Sequence, residues 1–289
     1  MKRRPILSKI KPYLFLLPIL VFAFFFVYFP FARTFLHSFS RVNFRGEIQE
    51  FVGFRNFQRL FGDPIFHAAI TNTLRFTVIV SLIILVAAYS LALLAAKKRK
   101  AGIFYETMFI VPMAVSMPAA SQIFRMLLEP NIGILNHALG LDIGWFSDPA
   151  FALLGIVMVC AWVGAPFYFL LFLSALRNIP TEILEATDLD GAGFFRTLFS
   201  VRLPLTSPTI LYVVCYNFVL AMMTAAPVII ITGGQPGTST VTLIFMMYIA
   251  GYQSLNFSLA AAISIVTFLL TFGLVFLAFT FERKKVHYQ

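Results

Sequence analysis

PTEILEATDLDGAGFFRTLFSVRLPLTSP, residues Pro180–Pro208, is the stretch on which the reading of this chain turns. No charged side chain lies between Asp148 and Arg177, and none lies from Leu203 to Phe281. Runs that apolar do not suit the helices of a soluble protein, and each is long enough to cross a bilayer at least once. The stretch is therefore a compact polar element slung between membrane segments. Its first residues, Pro180-Thr181-Glu182, are a helix start: a proline, a hydroxyl able to cap, and an acid in the first turn. Glu182, Glu185 and Asp188 recur every three residues and set one acidic helical face. Gly191 offers the positive-φ position that ends a helix, and Gly193 loosens the turn further. Phe194, Phe195, Leu198 and Phe199 make a second apolar stripe, which Leu203-Pro204 is expected to stop. The plain reading is a solvated connector lying on the membrane surface. The sharper one is a plug, acidic and flanked by phenylalanines, for a basic, apolar-floored pocket on another protein.

The rest of the composition agrees with a membrane chain. Of 289 residues, 60% are hydrophobic and only 12% charged, which excludes an ordinary soluble globule. A formal charge of +10 could point to nucleic acid. It does not here, because the basic residues cluster at the ends of apolar runs rather than on one face. Cys160 and Cys215 sit within apolar runs and read as small packing residues, and the four histidines show no metal-ligand spacing. The start of the chain is basic and then apolar, like a signal peptide. The apolar part, Tyr13 to Ala32, is long and has no small-x-small cleavage site, so an uncleaved first span is expected.

Charges bound six apolar stretches, and the last interval divides at Thr232-Gly233-Gly234-Gln235-Pro236-Gly237, a turn-rich break. The expected architecture is all-α: one transmembrane domain over 1–289 with spans near 13–32, 72–96, 105–125, 151–176, 207–232 and 257–281. The polar loop covers 177–206. An even number of spans puts both termini on one side. Fifteen of the 22 lysines and arginines, including every lysine, fall on the side of the termini: Lys2 to Lys11, Lys97 to Lys100, Arg177, Arg196, Arg202 and Arg283 to Lys285. Arg33, Arg41, Arg45, Arg55, Arg59, Arg75 and Arg125 fall on the other. The positive-inside rule then predicts cytoplasmic termini and a cytoplasmic Pro180–Pro208 loop. Outside, Arg33 to Thr71 is too short for a domain with its own core. Met126 to Asp148 reads as a short hairpin at the interface, with Trp145 as an aromatic anchor.

No phosphate-binding Gly-x4-Gly-Lys-Ser/Thr loop occurs, and neither a Gly-x-Ser-x-Gly elbow nor a clustered carboxylate pair. No catalytic residue and no metal ligand is expected, and no bound cofactor. Intramembrane charge is nearly nil, which argues against an ion-coupled carrier with buried ionisable groups. Energy should therefore arrive from outside the membrane. Polar groups at membrane depth, Asn217, Tyr216, Tyr212, Gln122 and Tyr168, are candidates for a translocation path. Asn217 leads, as the most polar residue far from both ends of its span. Amides, hydroxyls and aromatic faces suit a sugar or polyol, and they equally suit hydrogen bonding between helices.

Glu185-Ala186-Thr187, three residues, Gly191, nine residues, Val201, one residue and Leu203-Pro204 resemble the EAA loop of binding-protein-dependent ABC importer permeases. That signature is Glu-Ala-Ala, x3, Gly, x9, Ile, x, Leu-Pro, and Thr187 and Val201 are the two departures. Further similarity runs through Phe51–Phe57, Asn131–Asn136, Thr232–Gly234 and Glu282–Gln289. These pieces look closest to the first permease subunit of sugar and glycerol-3-phosphate importers. The resemblance implies a type I ABC importer permease in a bacterial inner membrane, carrying a carbohydrate or glycerol-3-phosphate-like solute. It implies a second permease, two ATPase subunits that bind ATP and Mg, and an extracytoplasmic solute-binding protein. It implies that Glu182, Glu185, Ala186, Asp188, Asp190, Gly191, Leu203 and Pro204 couple to the ATPase. The alternatives are an ion-coupled secondary carrier and a non-transport membrane scaffold.

Overall fold

The computed structural model describes residues 6–97 and 102–285, with side chains placed for 13–97 and 102–280. Lys2, Arg3, Arg4, Lys98, Arg99 and Lys100 lie outside the described residues, as does the Val286–Gln289 end. The side chains of Lys9, Lys11, Arg283, Lys284 and Lys285 lie outside as well. In chain order the elements are α1 (Ile6–Ala23), α2 (Phe29–Ser38), β1 (Ser40–Val42), β2 (Ile48–Phe51), α3 (Arg55–Phe61), α4 (Pro64–Ala96) and α5 (Gly102–Ile110). Then come α6 (Met117–Leu127), α7 (Ile134–Leu139), α8 (Ala152–Arg177), α9 (Thr181–Leu189) and α10 (Phe194–Thr197). The last are α11 (Leu203–Met222), α12 (Leu243–Tyr248) and α13 (Phe257–Lys285).

Five helical segments among the described residues are long and apolar enough to cross a membrane: Tyr13–Ser38, Pro64–Ala96, Ala152–Arg177, Phe194–Met222 and Phe257–Thr280. A sixth crossing requires counting the pair Gly102–Ala114 and Met117–Leu127 as one, although the two halves are bent by 100°. The bend has a local cause. Val115 and Ser116 are extended, with ψ of 129° and 147°. Pro112 and Pro118 flank them, and Ser116 Oγ accepts from Ala119 N at 3.4 Å to start the next helix.

The helix of the expected 207–232 span begins in the polar loop and ends at Met222. Leu203-Pro204 does not stop the phenylalanine-bearing helix, because the chain widens to i→i+5 bonding over Leu198–Arg202. That wide turn makes room for the proline ring where an α-turn would bring it against the Ser200 carbonyl. The second span starts earlier than expected, at Pro64, because Asp63 caps it: Oδ1 accepts from Ile65 N at 2.9 Å with proline at the first helical position.

The chain packs as two compact units, Met1–Gly62 with Met247–Val266, and Asp63–Met246 with Thr267–Gln289. In the first, β1 and β2 pair antiparallel as a small hairpin beside the helices. Phe39 gathers the rings of Phe35, Phe54 and Phe57 at 5.1, 5.3 and 5.1 Å. In the second, α4 lies along α8 and α11. Tyr89 meets Phe172 edge-on at 5.1 Å, and its hydroxyl hydrogen-bonds Thr206 Oγ1 at 3.0 Å. Buried positions on α4 recur at Phe66, Ala69, Thr73, Phe76, Val80, Ile84, Ala88 and Ala92, one helical face. Asn72, Thr77 and Ser81 are buried on that helix too, while Val78, Leu82 and Val86 point outward. Lipid is as apolar as leucine, so such helices hide polar groups from it alongside the large side chains they pack. Trp145 is no surface anchor: it is buried, and its Nε1 donates to Asn136 Oδ1 at 2.7 Å.

Candidate functional site

The Pro180–Pro208 loop is built as a helix, a glycine break and the start of a longer helix. Pro180, with ψ 134°, stands at the N-cap of α9 and makes no side-chain cap bond, so Thr181 is inside the helix rather than capping it. Gly191 takes φ +65°, with open space where a Cβ would stand. Asp190 N and Gly191 N donate to Ala186 O and Asp188 O at 3.0 and 3.1 Å, closing the helix end. Glu182, Glu185, Ala186, Asp188 and Asp190 are all exposed, and none of these acids makes an ion pair among the described residues. Leu189, Phe194, Phe195 and Phe199 are 89%, 59%, 71% and 64% exposed beside them. Leu203 and Pro204 are half-buried where the loop enters α11. An exposed apolar patch rimmed by unpaired acid has the composition of a docking surface for a basic partner.

The second place is a cavity of about 200 Å³ among α4, α8, α11 and the α5–α6 break. Gly164 of α8 allows the close approach, since a Cβ there would meet Ile84 Cδ1 at 3.2 Å. Asn217, Tyr216 and Tyr168 line the cavity together, with Phe76, Phe167, Met113, Met117 and Thr224. Asn217 is 4% exposed, and the hydroxyl of Tyr168 is buried with no hydrogen-bond partner among the described residues. Tyr168 and Tyr216 rings stand 6.5 Å apart at 64°, and Phe167 meets Tyr216 at 5.8 Å.

Two candidates fall outside that set. Tyr212 is exposed and stacks on Tyr216 at 5.8 Å without lining the cavity. Gln122 is exposed on α6, away from the lining. Met113 and Met117 were not singled out from the sequence, because they lie at a break that hydropathy does not mark. Among the described residues, no charged side chain lines the cavity. The lining is mostly apolar and aromatic, and Asn217, Tyr168, Tyr216 and Thr224 supply its few polar groups.

Membrane-length helices, a cavity without charged lining among the described residues and an exposed acidic loop suit a membrane transport subunit. Residues 88–286 match the family described as binding-protein-dependent transport system inner membrane component, and this chain belongs to that family. It is therefore a multi-pass inner-membrane permease of the ABC importer class. The chain is similar to the sn-glycerol-3-phosphate transport system permease protein UgpA of Yersinia pestis bv. Antiqua (strain Antiqua), 35% identical over 282 residues and 96% of each chain. The UgpA permease of Pectobacterium atrosepticum is 34% identical over 292 residues, 99% of each. Its fold matches that of a chain from a bacterial ABC transporter involved in the import of the acidic polysaccharide alginate. The TM-score is 0.84 at 21% identity, covering 97% of this chain and 99% of that one. The ion-coupled carrier and scaffold alternatives have no support in these likenesses.

Proposed function

We propose that this chain is one of two permeases in an importer for glycerol 3-phosphate or a small carbohydrate. Two ATPase subunits would drive it from the cytoplasmic side, and an extracytoplasmic binding protein would load it. Both termini and the Pro180–Pro208 loop face the cytoplasm in this reading, as the lysine distribution favours. The observation that carries the reading is the exposed acidic and phenylalanine-rich surface of α9 and its successor, in a chain of this family. Closure of the ATPase pair would draw that surface inward, and the continuous helix from Phe194 to Met222 would pass the motion to the cavity. Glu185 acts as the polar contact, Ala186 as the close-packing surface, Gly191 as the turn, and Leu203-Pro204 as the seat of α11. Around the solute, Asn217 and Tyr168 offer hydrogen bonds and Tyr216 a ring face. The relatives' glycerol-3-phosphate names favour a small solute over an oligosaccharide.

Uptake of labelled glycerol 3-phosphate and of small sugars, in cells with and without this subunit, tests the reading. One of them is expected to depend on it. Dependence of amino acids, metal ions or peptides alone would refute the solute class, and uptake that survives loss of every ATPase partner would refute the coupling.

A further inference from the structure

The smaller unit holds a cleft of about 910 Å³, and every residue lining it belongs to that unit. Strand β1 and helix α3 contribute Arg41, Arg55 and Arg59, and the chain just ahead of α13 contributes Ser254, Leu255 and Asn256. None of the three arginines makes an ion pair among the described residues. Glu50 stands opposite Arg41 in the strand register but lies beyond ion-pair distance of it.

The cleft is held in shape. Asn56 Nδ2 donates to Ser38 O and Ser40 O at 2.9 and 3.0 Å, fixing the helix that bears Arg55 and Arg59 to the strand that bears Arg41. Val42 N donates to Ser258 Oγ at 2.8 Å, tying that strand to the first turns of α13. Leu255 on the opposite wall has φ +51°, the single non-glycine residue with positive φ among those described. A leucine is strained there, and such strain persists where surrounding structure dictates the backbone. All three arginines are exposed at the cleft; guanidiniums that share a cleft repel one another less once an anion joins them, and their planar forks match phosphate and carboxylate oxygens bidentately.

We propose that this arginine-lined cleft is an anion-recognition site, distinct from the Asn217 cavity, that takes a phosphomonoester group. A phosphomonoester carries nearly two charges and three acceptor oxygens, enough to engage three guanidiniums, where one carboxylate offers a single charge. The group can come from a phosphorylated small solute or from a phosphomonoester lipid headgroup. Placement on the exported face rests on the proposed orientation; the anion chemistry does not.

The test uses the full-length chain in phosphatidylcholine nanodiscs, titrated calorimetrically with inorganic phosphate and with glycerol 3-phosphate. In a parallel arm, native mass spectrometry scores retention of phosphatidic acid against phosphatidylcholine. The Arg55→Gln/Arg59→Gln variant is compared with Arg45→Gln, which removes a charge from the same segment outside the cleft, and with Arg75→Gln, which removes one from α4 outside the cleft. Loss of a charge-assisted bidentate contact should weaken binding about tenfold or more in the double variant, with both controls unchanged. If the soluble anions show that dependence, the source is a solute; if only phosphatidic acid shows it, the source is lipid, and either supports the site. Arg55→Lys/Arg59→Lys should fall between the two, since charge remains and the fork is lost. Equal binding in the double variant and its controls overturns the proposal. So does arginine dependence seen only for an added solute-binding protein, which would make the cleft a protein-docking surface. A failure of ATP-driven uptake would refute the importer reading and leave these titrations untouched.

Discussion

Helix α4 and the α9–α10 loop both invert the soluble-protein rule, and for different reasons. On α4 the hidden face carries Asn72, Thr73, Thr77 and Ser81, while Val78, Leu82 and Val86 face outward. On the loop, Leu189, Phe194, Phe195 and Phe199 are exposed next to unpaired Glu182, Glu185 and Asp188. On α4 the outer face is matched to lipid, and inside, Asn72 and Thr73 find hydrogen-bond partners while Thr77 Oγ1 and Ser81 Oγ have none among the described residues. Asn72 Nδ2, for example, donates to Thr238 O and Val241 O at 2.7 and 3.1 Å. The loop's inversion is unfinished, since acid and phenylalanine share one surface that neither water nor lipid suits. An outward hydrophobe alone therefore says little in a membrane protein. An outward hydrophobe beside an unpaired acid indicates a missing protein partner.

That contrast breaks first, and most visibly, at the loop. Gly191→Leu forces a side chain into φ +65°, which costs on the order of 1 kcal/mol or more, and should tilt the loop without unfolding the buried helices. Glu185→Ala should weaken ATPase association by about 3–5 kcal/mol if its partner charge is left buried and unpaired. Both variants are expected at normal membrane abundance, with uptake abolished and the ATPase lost during purification in detergent. Normal uptake with either one would make the loop a connector and end the comparison.

A smaller effect is expected on the other side of it. Asn72→Leu leaves the Val241 carbonyl without this donor, at about 1–3 kcal/mol for the orphaned group, while Thr238 O keeps its bond from Val241 N. The thermal midpoint in detergent should drop clearly, whereas Leu82→Ala, on the outward face, should hardly move it. Equal losses would mean that α4 is buried all round by partner chains.

Tyr89→Phe sharpens the contrast further, because it removes only the hydroxyl bond to Thr206. Such bonds between membrane helices average about 0.6 kcal/mol, so a small drop in midpoint and intact uptake are expected. The smallest effect belongs to Arg177→Gln. Arg177 pairs with Glu106 at 2.5 Å, but the two side chains are 33% and 20% exposed. Partly solvated pairs contribute about 0.2–1 kcal/mol, so stability measured by thermal shift should change little, and less in high salt.

Much of this was legible in the sequence. Charge-free runs marked the apolar helices, because a buried charge in lipid is too costly to hide, and the Glu-x-x-Glu-x-x-Asp repeat with its glycine marked the loop. The cavity was legible in part. Asn217, Tyr216 and Tyr168 stood out as polar groups in apolar runs, yet Gln122 and Tyr212 stood out equally and do not join them. Polarity can be read along a chain, whereas the side of a helix that faces a cavity depends on its neighbours. Trp145 failed in the same way: an interfacial and a buried tryptophan look identical until Asn136 is seen at its ring nitrogen.

By itself the sequence determined the helical membrane class, the acidic loop and its glycine turn, because hydropathy, charge and φ > 0 are local properties. Only the tertiary structure decided where helices bend or continue, since the Val115–Ser116 break and the wide turn ahead of Pro204 depend on backbone bonding several residues away. It alone brought Asn217 to Tyr168, and Arg41 to Arg55 and Arg59, because those meetings join segments far apart in the chain.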